Sequence, residues 1–263
     1  MDLGLSGRAC VITGGSQGVG RELARRLVAE GGCVLLVGRR EAPLREAVAE
    51  LGEHSAASLA VDITDRNAGE RVAAACIERY DRLDVLVNSA GAMDLVPIED
   101  LTDEMWEANF ALHVMAPLRL MRAAIPRMLE RGWGRVVNVG SSAGRRPGRS
   151  NLAYGASKSA ELSLSRGYAE HYASRGVLVN AVNPGPLAGE MWLDPGGLLD
   201  QSAAVAGVTR EEALARLSAG LPLGRMGTTR EVADVIAFLC SELAGNVVGA
   251  AWSIDGGAVP SIF

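Results

Sequence analysis

A tyrosine and a lysine one helical turn apart are the residues whose types and spacing most clearly allow chemistry. The stretch Y-G-A-S-K places Tyr154 four residues before Lys158, the only lysine among the 26 basic residues of the chain. Residues 154–172 have a helical pattern, in which positions i and i+4 share a face. A free phenol, with a pKa of about 10, is a poor base near neutral pH, and a nearby ammonium favours the phenolate. The pair therefore predicts proton transfer by Tyr154, assisted by the compact lysine charge.

Two hydroxyl side chains follow a predicted strand shortly before this helix. The run V-N-V-G-S-S places Ser141 and Ser142 at the end of the strand, thirteen and twelve residues before Tyr154. Hydroxyls in such places are often only capping or turn groups. Because a proton donor needs a partner that orients the substrate oxygen, we expect that role here.

A glycine-rich turn follows the first apolar run. The segment T-G-G-S-Q-G-V-G spans residues 13–20, and a helical pattern comes next. Glycines allow the backbone to approach a pyrophosphate, whose charge then faces a helix N-terminus. The spacing of Gly14, Gly18 and Gly20 is neither G-x-G-x-x-G nor a Walker loop, so a tight strand-to-helix connection is the alternative. Its position at the first strand–helix junction favours a nucleotide site.

The ends of the next apolar runs bear on which nucleotide is bound. The second run ends in V-G-R-R, with Arg39 nineteen residues after Gly20. An NAD site would carry a carboxylate near this point for the ribose 2′-hydroxyl. Arg39 instead offers a guanidinium to a 2′-phosphate, which predicts NADP(H), with NAD(H) as the lesser alternative and a solvated arginine pair as the structural one. Asp62 ends the third run and could accept from an adenine amino group or simply form a turn.

The elements that position these residues alternate along the chain. Short β-branched runs, separated by amphipathic helical stretches, occur at or near 9–13, 34–37, 59–61, 85–88, 136–139, 177–182 and 251–254. Continuous apolar strands between helices predict a parallel sheet covered on both faces. We therefore expect an α/β fold: one Rossmann-type domain over residues 1–263, with a doubly wound parallel sheet of about seven strands. Ligands should lie beyond the carboxyl ends of the strands.

Composition argues against several other classes of protein. A hydrophobic fraction of 48% fits a buried core, and a net charge of −5 offers no basic surface to nucleic acid. The apolar runs are too short to cross a bilayer, and the start M-D-L-G-L-S-G does not resemble a secretory signal. The four cysteines and three histidines are scattered, so we expect no disulfide, no metal site and a reducing, cytoplasmic location.

The motifs resemble those of short-chain dehydrogenases/reductases over essentially the full chain. They are, in order, T-G-G-S-Q-G-V-G, N-S-A-G, Ser141, Y-G-A-S-K, N-P-G-P and I-D-G-G. The pattern is also similar to that of members that reduce 3-oxoacyl groups on a carrier protein. The resemblance implies hydride transfer between NADP(H) and a ketone or aldehyde, which becomes an alcohol. Members are usually homotetramers, and neither a nucleic-acid nor a membrane partner is implied.

The resemblance also implies a role for each matching residue. Tyr154 would exchange the proton, Ser141 would hold the substrate oxygen, and Lys158 would bind the nicotinamide ribose. Asn109 would hold a water in a relay to bulk solvent, although an asparagine merely tolerated in a helix is the alternative. Pro117, eight residues later, should distort that helix. The expected cofactor contacts are Gly14, Ser16, Gln17, Gly18, Val19, Gly20, Arg39, Asp62, Ile63, Asn88, Ala90, Gly91, Tyr154, Lys158, Pro184, Gly185 and Leu187.

Some features depart from the family pattern. Ser89 stands where relatives more often have asparagine, and Gly189 where a threonine usually anchors the nicotinamide carboxamide. Residues 187–220 depart from strand–helix regularity and should form a lid over the substrate. Large apolar residues in the lid suggest a mainly apolar pocket: Met191, Trp192 and Leu193. Three arginines lie between Ser141 and Tyr154: Arg145, Arg146 and Arg149. They could attract an acidic substrate, but a solvated loop is the favoured interpretation.

Two other functions are compatible with the same motifs. A noncatalytic NADP(H)-binding redox sensor would need the cofactor site alone, and a scaffold would need neither site. The complete set of Asn109, Ser141, Tyr154 and Lys158 favours an enzyme over both, while Gly189 keeps the sensor as the alternative.

Overall fold

A single parallel sheet forms the centre of the molecule. The computed structural model describes residues 2–260, and its seven main strands have the order β3-β2-β1-β4-β5-β6-β9. The strands are β1 (Ala9–Thr13), β2 (Cys33–Gly38), β3 (Ala56–Ala60), β4 (Val85–Asn88), β5 (Gly134–Val139), β6 (Val177–Pro184) and β9 (Ala251–Ile254). Two further strands, β7 (Leu187–Ala188) and β8 (Gly227–Thr228), form a separate short parallel pair.

Helices connect the strands and cover both faces of the sheet. They are α1 (Gly18–Ala29), α2 (Glu41–Leu51), α3 (Ala68–Tyr80), α4 (Asp103–Phe110), α5 (Ala116–Glu130), α6 (Leu152–Tyr172), α7 (Glu190–Leu193), α8 (Leu198–Ala206), α9 (Arg210–Ala219) and α10 (Thr229–Cys240). This arrangement confirms the predicted doubly wound α/β fold and its seven strands. Within residues 2–260, no helix is both long and apolar enough to cross a membrane.

The alternation of side chains along the strands produces two hydrophobic cores. In β1, Cys10 and Ile12 point to the face covered by α1, α2 and α10, whereas Val11 points to the face covered by α3 and α5. Buried leucine, isoleucine and valine side chains of these helices complete both cores. Burying such a side chain contributes about 1.5–3 kcal/mol, so sheet and helices stabilise each other.

The third strand differs from its predicted position. The prediction placed it near residues 59–61, but β3 spans Ala56–Ala60 and pairs with β2 from Ala56 opposite Val34. Its first residues, A-A-S, have no β-branched side chain and therefore gave no strand signal. Pairing with the neighbouring strand determines where β3 begins.

A distortion separates α4 from α5. Residues Ala111–Met115 form one π-helical turn, and Pro117 lies in the first turn of α5. Proline lacks a backbone N–H and crowds the carbonyl four residues earlier, which is the physical basis of the predicted distortion. The π turn carries His113, whose side chain is buried against α6.

Candidate active site

One cleft brings the glycine-rich turn and the tyrosine–lysine pair together. It has a volume of about 770 Å³ and lies at the carboxyl ends of the central strands, where the strand order reverses between β1 and β4. Gly14, Gly18 and Gly20 line one part, and Tyr154, Lys158 and Ser141 line another. The cleft therefore joins a candidate nucleotide site to a candidate proton-transfer site.

The glycine-rich turn has no room for a side chain at Gly20 and little at Gly14. Gly14 has φ +69° and its backbone N–H bonds to Val37 at the end of β2. A Cβ atom on Gly20 would lie 2.4 Å from the carbonyl oxygen of Gly14, a distance that real Cβ atoms essentially never show. The turn thus folds back tightly on the start of α1. The residue before that helix, Gln17, gives no side-chain cap, and the backbone N–H of Gly18 donates to Glu190 Oε1 at 3.5 Å. The next N–H groups of the first turn are open to an anion in the cleft.

Two arginines lie at the adjacent end of β2. Arg39 and Arg40 are both exposed and both line the cleft. Arg40 donates to the side chain of Gln17, which ties it to the glycine-rich turn. Arg39 makes no side-chain hydrogen bond within residues 2–260, and its charge helps lower the pKa of Asp62. No carboxylate lies at the end of β2 itself, where an acid would be needed to hold a ribose 2′-hydroxyl.

Asp62 combines both interpretations that the sequence allowed. It lines the cleft, and its carboxylate accepts hydrogen bonds from the backbone N–H (2.9 Å) and the hydroxyl (2.8 Å) of Thr64. These bonds, led by the one from the backbone, lower the pKa of the carboxyl. Asp62 therefore forms a turn and also remains an available acceptor at the cleft wall.

The segment after β4 is held by a buried threonine. The hydroxyl of Thr13 accepts from the backbone N–H groups of Ser89 (3.0 Å) and Ala90 (3.1 Å), which places 89–91 along the cleft. Asn88, an expected cofactor contact, does not line the cleft. Its side chain is buried and donates to Asn138 on β5 at 2.7 Å, because it ends a central strand and points between β4 and β5. The Asn88 side chain thus joins two strands, and a contact between Asn88 and a cofactor stays a prediction.

The residues present fit a dinucleotide with a 2′-phosphate. The glycine cradle would clash with any added Cβ at residue 20, which suits close approach of a pyrophosphate to the backbone. The open N–H groups of α1 suit its charge. Arg39 and Arg40 suit a phosphate better than a hydroxyl.

Close packing of a turn on α6 positions Ser141. Ser141 caps the 3₁₀ turn 142–144 by accepting from the backbone N–H of Ala143 at 3.1 Å. Added Cβ atoms on Gly144 and Gly155 would lie 3.0 Å from backbone atoms of Lys158 and Ala143, respectively. Two glycines therefore let the turn contact the helix directly, and Ser141 and Tyr154 face the same cleft.

Lys158 is buried next to a carboxylate that the sequence analysis missed. Its ammonium donates to the carbonyl of Val139 and to Glu161 Oε2, both at 2.8 Å, and lies 5.9 Å from the centre of the Tyr154 ring. Lys158 is 3% exposed and Glu161 is 1% exposed. Burial alone would lower the pKa of Lys158, but Glu161 and Tyr154 more than offset this effect and raise it above its ordinary value of 10.5.

His113 is a second residue that the sequence analysis missed. Its ring meets the Tyr154 ring edge-on, with centres 5.2 Å apart. Nδ1 lies 3.0 Å from the Ser157 hydroxyl, which donates to the carbonyl of Tyr154, and Nε2 accepts from the backbone N–H of Ala92. Burial, with repulsion from Lys158, lowers the pKa of His113 to about 2, so the ring is neutral and its Nδ1 carries the proton. It braces the tyrosine sterically and carries no charge.

Asn109 does not lie in the cleft. Its side-chain amide donates to the carbonyl of Met105, one turn earlier in α4, at 2.9 Å. Its neighbours Ala108 and Ala111 line the cleft, but Asn109 does not. The π turn directs the His113 ring, and not the Asn109 side chain, toward Tyr154. The water-holding role of Asn109 stays a prediction. A histidine four residues before Pro117 was the available signal, and the sequence analysis did not use it.

The segment 187–220 folds into short helices beside the cleft. Leu187 and Gly189 line the cleft, together with Glu190, Met191 and Trp192. Leu193, expected in the pocket, does not. The short β7–β8 pair places Thr229 beside Gly189, where an added Cβ would lie 3.1 Å from the threonine methyl group. Thr229 also lines the cleft. A threonine therefore lies next to Gly189, the position at which relatives usually have a threonine.

Only one of the three arginines expected near the rim turns to the cleft. Arg146 lines it, with Ser142 and Asn151 nearby in the lining. Arg145 instead donates to the carbonyl of Ala251 and to the hydroxyl of Ser253 on β9. Arg149 is exposed and outside the lining.

The described residues contain no metal-binding cluster of three or more histidine, cysteine or acidic side chains. All four cysteines are free thiols, and three of them are buried: Cys10, Cys76 and Cys240. Burial raises the pKa of the Cys76 thiol to about 12, which leaves it inert near neutral pH.

Comparison with known proteins agrees with this geometry. The family model for short chain dehydrogenases matches residues 8–194. The chain is 33% identical to sorbitol dehydrogenase from Cereibacter sphaeroides, covering 96% of this chain and 98% of the relative. It is 36% identical to galactitol 2-dehydrogenase (L-tagatose-forming) of the same organism, covering 96% and 95%. L-sorbose reductase from Gluconobacter frateurii, solved with NADPH and L-sorbose, superposes with a TM-score of 0.92 at 30% identity over all of both chains. This chain belongs to the short chain dehydrogenase family, the oxidoreductases that act on alcohols and carbonyl compounds.

Proposed function

We propose that the protein is an NADP(H)-dependent oxidoreductase that interconverts a ketone or aldehyde with an alcohol and works as a reductase. The observation that carries the proposal is the opening of Tyr154 and Lys158 into the same cleft as the glycine-rich turn. Arg39 and Arg40 at the end of β2 support NADP(H) over NAD(H), and the NADPH complex of L-sorbose reductase supports the same choice.

The residues of the cleft divide the chemistry between them. NADPH, when bound, supplies the hydride to the carbonyl carbon. Ser141 holds the carbonyl oxygen by a hydrogen bond, and the Tyr154 hydroxyl gives its proton to that oxygen as the alcohol forms. The Lys158 ammonium stabilises the phenolate that remains on Tyr154. His113 keeps the tyrosine ring in place without adding a charge.

We propose polyols and ketoses as the substrate class. The relatives named above act on sorbitol, galactitol and L-sorbose. The lining of the cleft is mixed, since it includes the apolar side chains of Met191 and Trp192 and polar groups of Ser142, Asn151 and Arg146. A polyhydroxylated chain can use both the polar groups and the apolar surface.

We also propose a homotetramer, in line with the family resemblance. Large apolar side chains are exposed on two separate surfaces: Met105, Phe110 and Met115 near the π turn, and Trp252 on β9. Exposed apolar patches of this kind often mark contacts between copies of a chain. Sedimentation equilibrium at micromolar concentration should give four times the chain mass of 27.5 kDa. A single-chain mass would contradict the proposal.

A cofactor and substrate comparison tests the proposed function. NADPH and NADH are each offered with L-sorbose, L-tagatose and a 3-oxoacyl thioester, and oxidation of the nicotinamide is followed by absorbance. We expect turnover with at least one ketose and a preference for NADPH of about ten- to hundred-fold in kcat/KM, the effect of one or two charge-assisted bonds. NADPH binding without turnover of any carbonyl compound would instead support a redox sensor.

A further inference from the structure

The buried neighbour of Lys158 is a feature that the reaction described above does not use. Glu161 lies three residues after Lys158 on α6 and is 1% exposed. A carboxylate is rarely buried so completely, because removing it from water costs several kcal/mol unless a cation and hydrogen bonds compensate. Its carboxylate pairs with the Lys158 ammonium, which lies 2.8 Å from Oε2. The pair therefore places a negative charge directly behind the site of proton transfer.

The hydrogen bonds of Lys158 leave one direction open. An ammonium has three N–H donors. One is used by the carbonyl of Val139 and one by Glu161. The residue lines the cleft, and the missing side chain of Gly91 leaves space on that side, since a Cβ there would lie 4.0 Å from Nζ. The third N–H is thus free for a hydroxyl group in the cleft.

We propose that Glu161 is a positioning residue for the reaction: its carboxylate holds the Lys158 ammonium, directs the remaining N–H into the cleft and keeps the amine charged although it is buried. A buried lysine without a counterion tends to lose its proton. A neutral amine would no longer stabilise a phenolate on Tyr154. Glu161 therefore acts through Lys158 and touches neither substrate nor cofactor. This role in the reaction rests on the proposed function.

Among residues 2–260, no other ionised group contacts the pair through a hydrogen bond or an ion pair. The π turn contributes His113, which is neutral. The turn before α6 contributes Arg145, bonded to β9, and the exposed Arg146. The facing strands β5 and β6 carry one ionisable side chain, Arg135, at the far end of β5 and bonded to Ser241. Acids of α4 are exposed to solvent: Asp103, Glu104 and Glu107. Glu161 is thus the group whose removal should change the charge of Lys158.

The sole lysine of the chain allows a direct measurement of that charge. Protein grown with lysine labelled with ¹³C at Cε gives one side-chain signal, from Lys158, and its chemical shift reports protonation. In the wild type, without cofactor or substrate, we expect the ammonium form at every pH at which the protein stays folded, up to about 10. E161Q keeps the shape of the side chain but not its charge. In this variant we expect the titration midpoint of Lys158 to fall by one pH unit or more, which is at least a tenfold lower affinity of the amine for its proton.

Two further variants separate this role from helix packing. E161D keeps the charge on a shorter side chain, and its midpoint should lie between those of the wild type and E161Q. S165A removes a buried hydroxyl one turn further along α6 that has no hydrogen-bond partner within the described residues. Its midpoint should equal that of the wild type.

The outcomes are distinct. An E161Q midpoint equal to or above that of the wild type overturns the proposal. Should E161Q not fold, the titration of Lys158 in the wild type tests the proposal. A midpoint below about 10, the ordinary range of lysine, overturns the proposal, and a higher midpoint supports it. Because the titration needs no substrate, it stands whether or not the protein turns over a ketone. Absence of turnover by the wild type would count against the proposed function alone.

Discussion

The two ends of the cleft differ in the chemical groups that form them. The nucleotide end consists of backbone and exposed charges: uncapped N–H groups of α1, the glycine turn, and Arg39 and Arg40 in solvent. The proton-transfer end consists of buried side chains that hold one another, with Lys158 bonded to Glu161 and Val139. Charges in water interact weakly and are screened by salt, whereas buried charges depend strongly on each partner.

This contrast predicts different costs for changes at the two ends. A substitution at the nucleotide end should alter cofactor affinity and leave the fold intact. A substitution at the proton-transfer end should alter both activity and stability, because it leaves a buried group without its partner.

The largest effect should come from K158M. The substitution keeps an unbranched side chain only one atom shorter but leaves the Glu161 carboxylate buried without a cation, which costs about 3–5 kcal/mol. Burial raises the pKa of the Glu161 carboxyl, and Lys158 opposes this shift. Without the lysine, the folded state holds the carboxyl proton more tightly than the unfolded state does. Stability of K158M should therefore fall as pH rises above about 4.5, the ordinary carboxyl value.

Urea unfolding followed by tryptophan fluorescence measures this effect near pH 5 and near pH 8. The loss of unfolding free energy should be larger at the higher pH. The double variant K158M/E161L is the matched control, and it should recover most of the lost stability because an apolar pair replaces both charges. Equal stability of K158M and the wild type at both pH values would contradict the buried ion pair.

The next effect concerns the choice of cofactor. R39A removes one guanidinium from the end of β2 and should weaken NADPH binding by about ten- to hundred-fold, while NADH binding changes little. R45A, which removes an exposed arginine of α2 outside the cleft, is the control and should bind NADPH like the wild type. Dissociation constants come from fluorescence titration. An equal loss for both nucleotides would show that Arg39 does not contact the 2′-phosphate.

How much the sequence could predict also differs between the two ends. Gly14, Gly18, Gly20 and Arg39 all line the cleft as expected, because backbone-built sites follow directly from the strand ends that precede them. Asn88 satisfied the same rule and yet points between strands, since only the pairing of β4 with β5 determines where that side chain goes.

At the proton-transfer end, the sequence around Glu161 did not indicate that its side chain is buried. Glu161 sits in the pattern A-E-L-S on a helix whose exposed face is also polar, so it resembled a solvated residue. Its spacing of three residues from Lys158 was a usable signal for an ion pair. The π turn shifts the helix register. The Asn109 side chain bonds to Met105 within its own helix, whereas the His113 ring packs against Tyr154.

The smallest effect should come from E190Q. Glu190 Oε1 accepts from the backbone N–H of Gly18 at 3.5 Å, so a carboxylate stands where the phosphates should approach α1. Removing its charge should tighten NADPH binding about two- to fivefold, the range of a helix N-terminus acting on a nearby charge. E211Q, on an exposed acid of α9 outside the cleft, should leave binding unchanged. Unchanged or weaker binding by E190Q would contradict this interpretation of the contact.

Proton transfer by Tyr154 is the central claim, and Y154F tests it most directly. The wild type and Y154F are compared for NADPH binding and for turnover of the ketone that the wild type reduces fastest. We expect Y154F to bind NADPH with an affinity within about twofold of the wild type, because the ring remains against His113. Its kcat should fall by about 10²–10⁴-fold. Turnover by Y154F at the wild-type rate would show that Tyr154 does not transfer the proton.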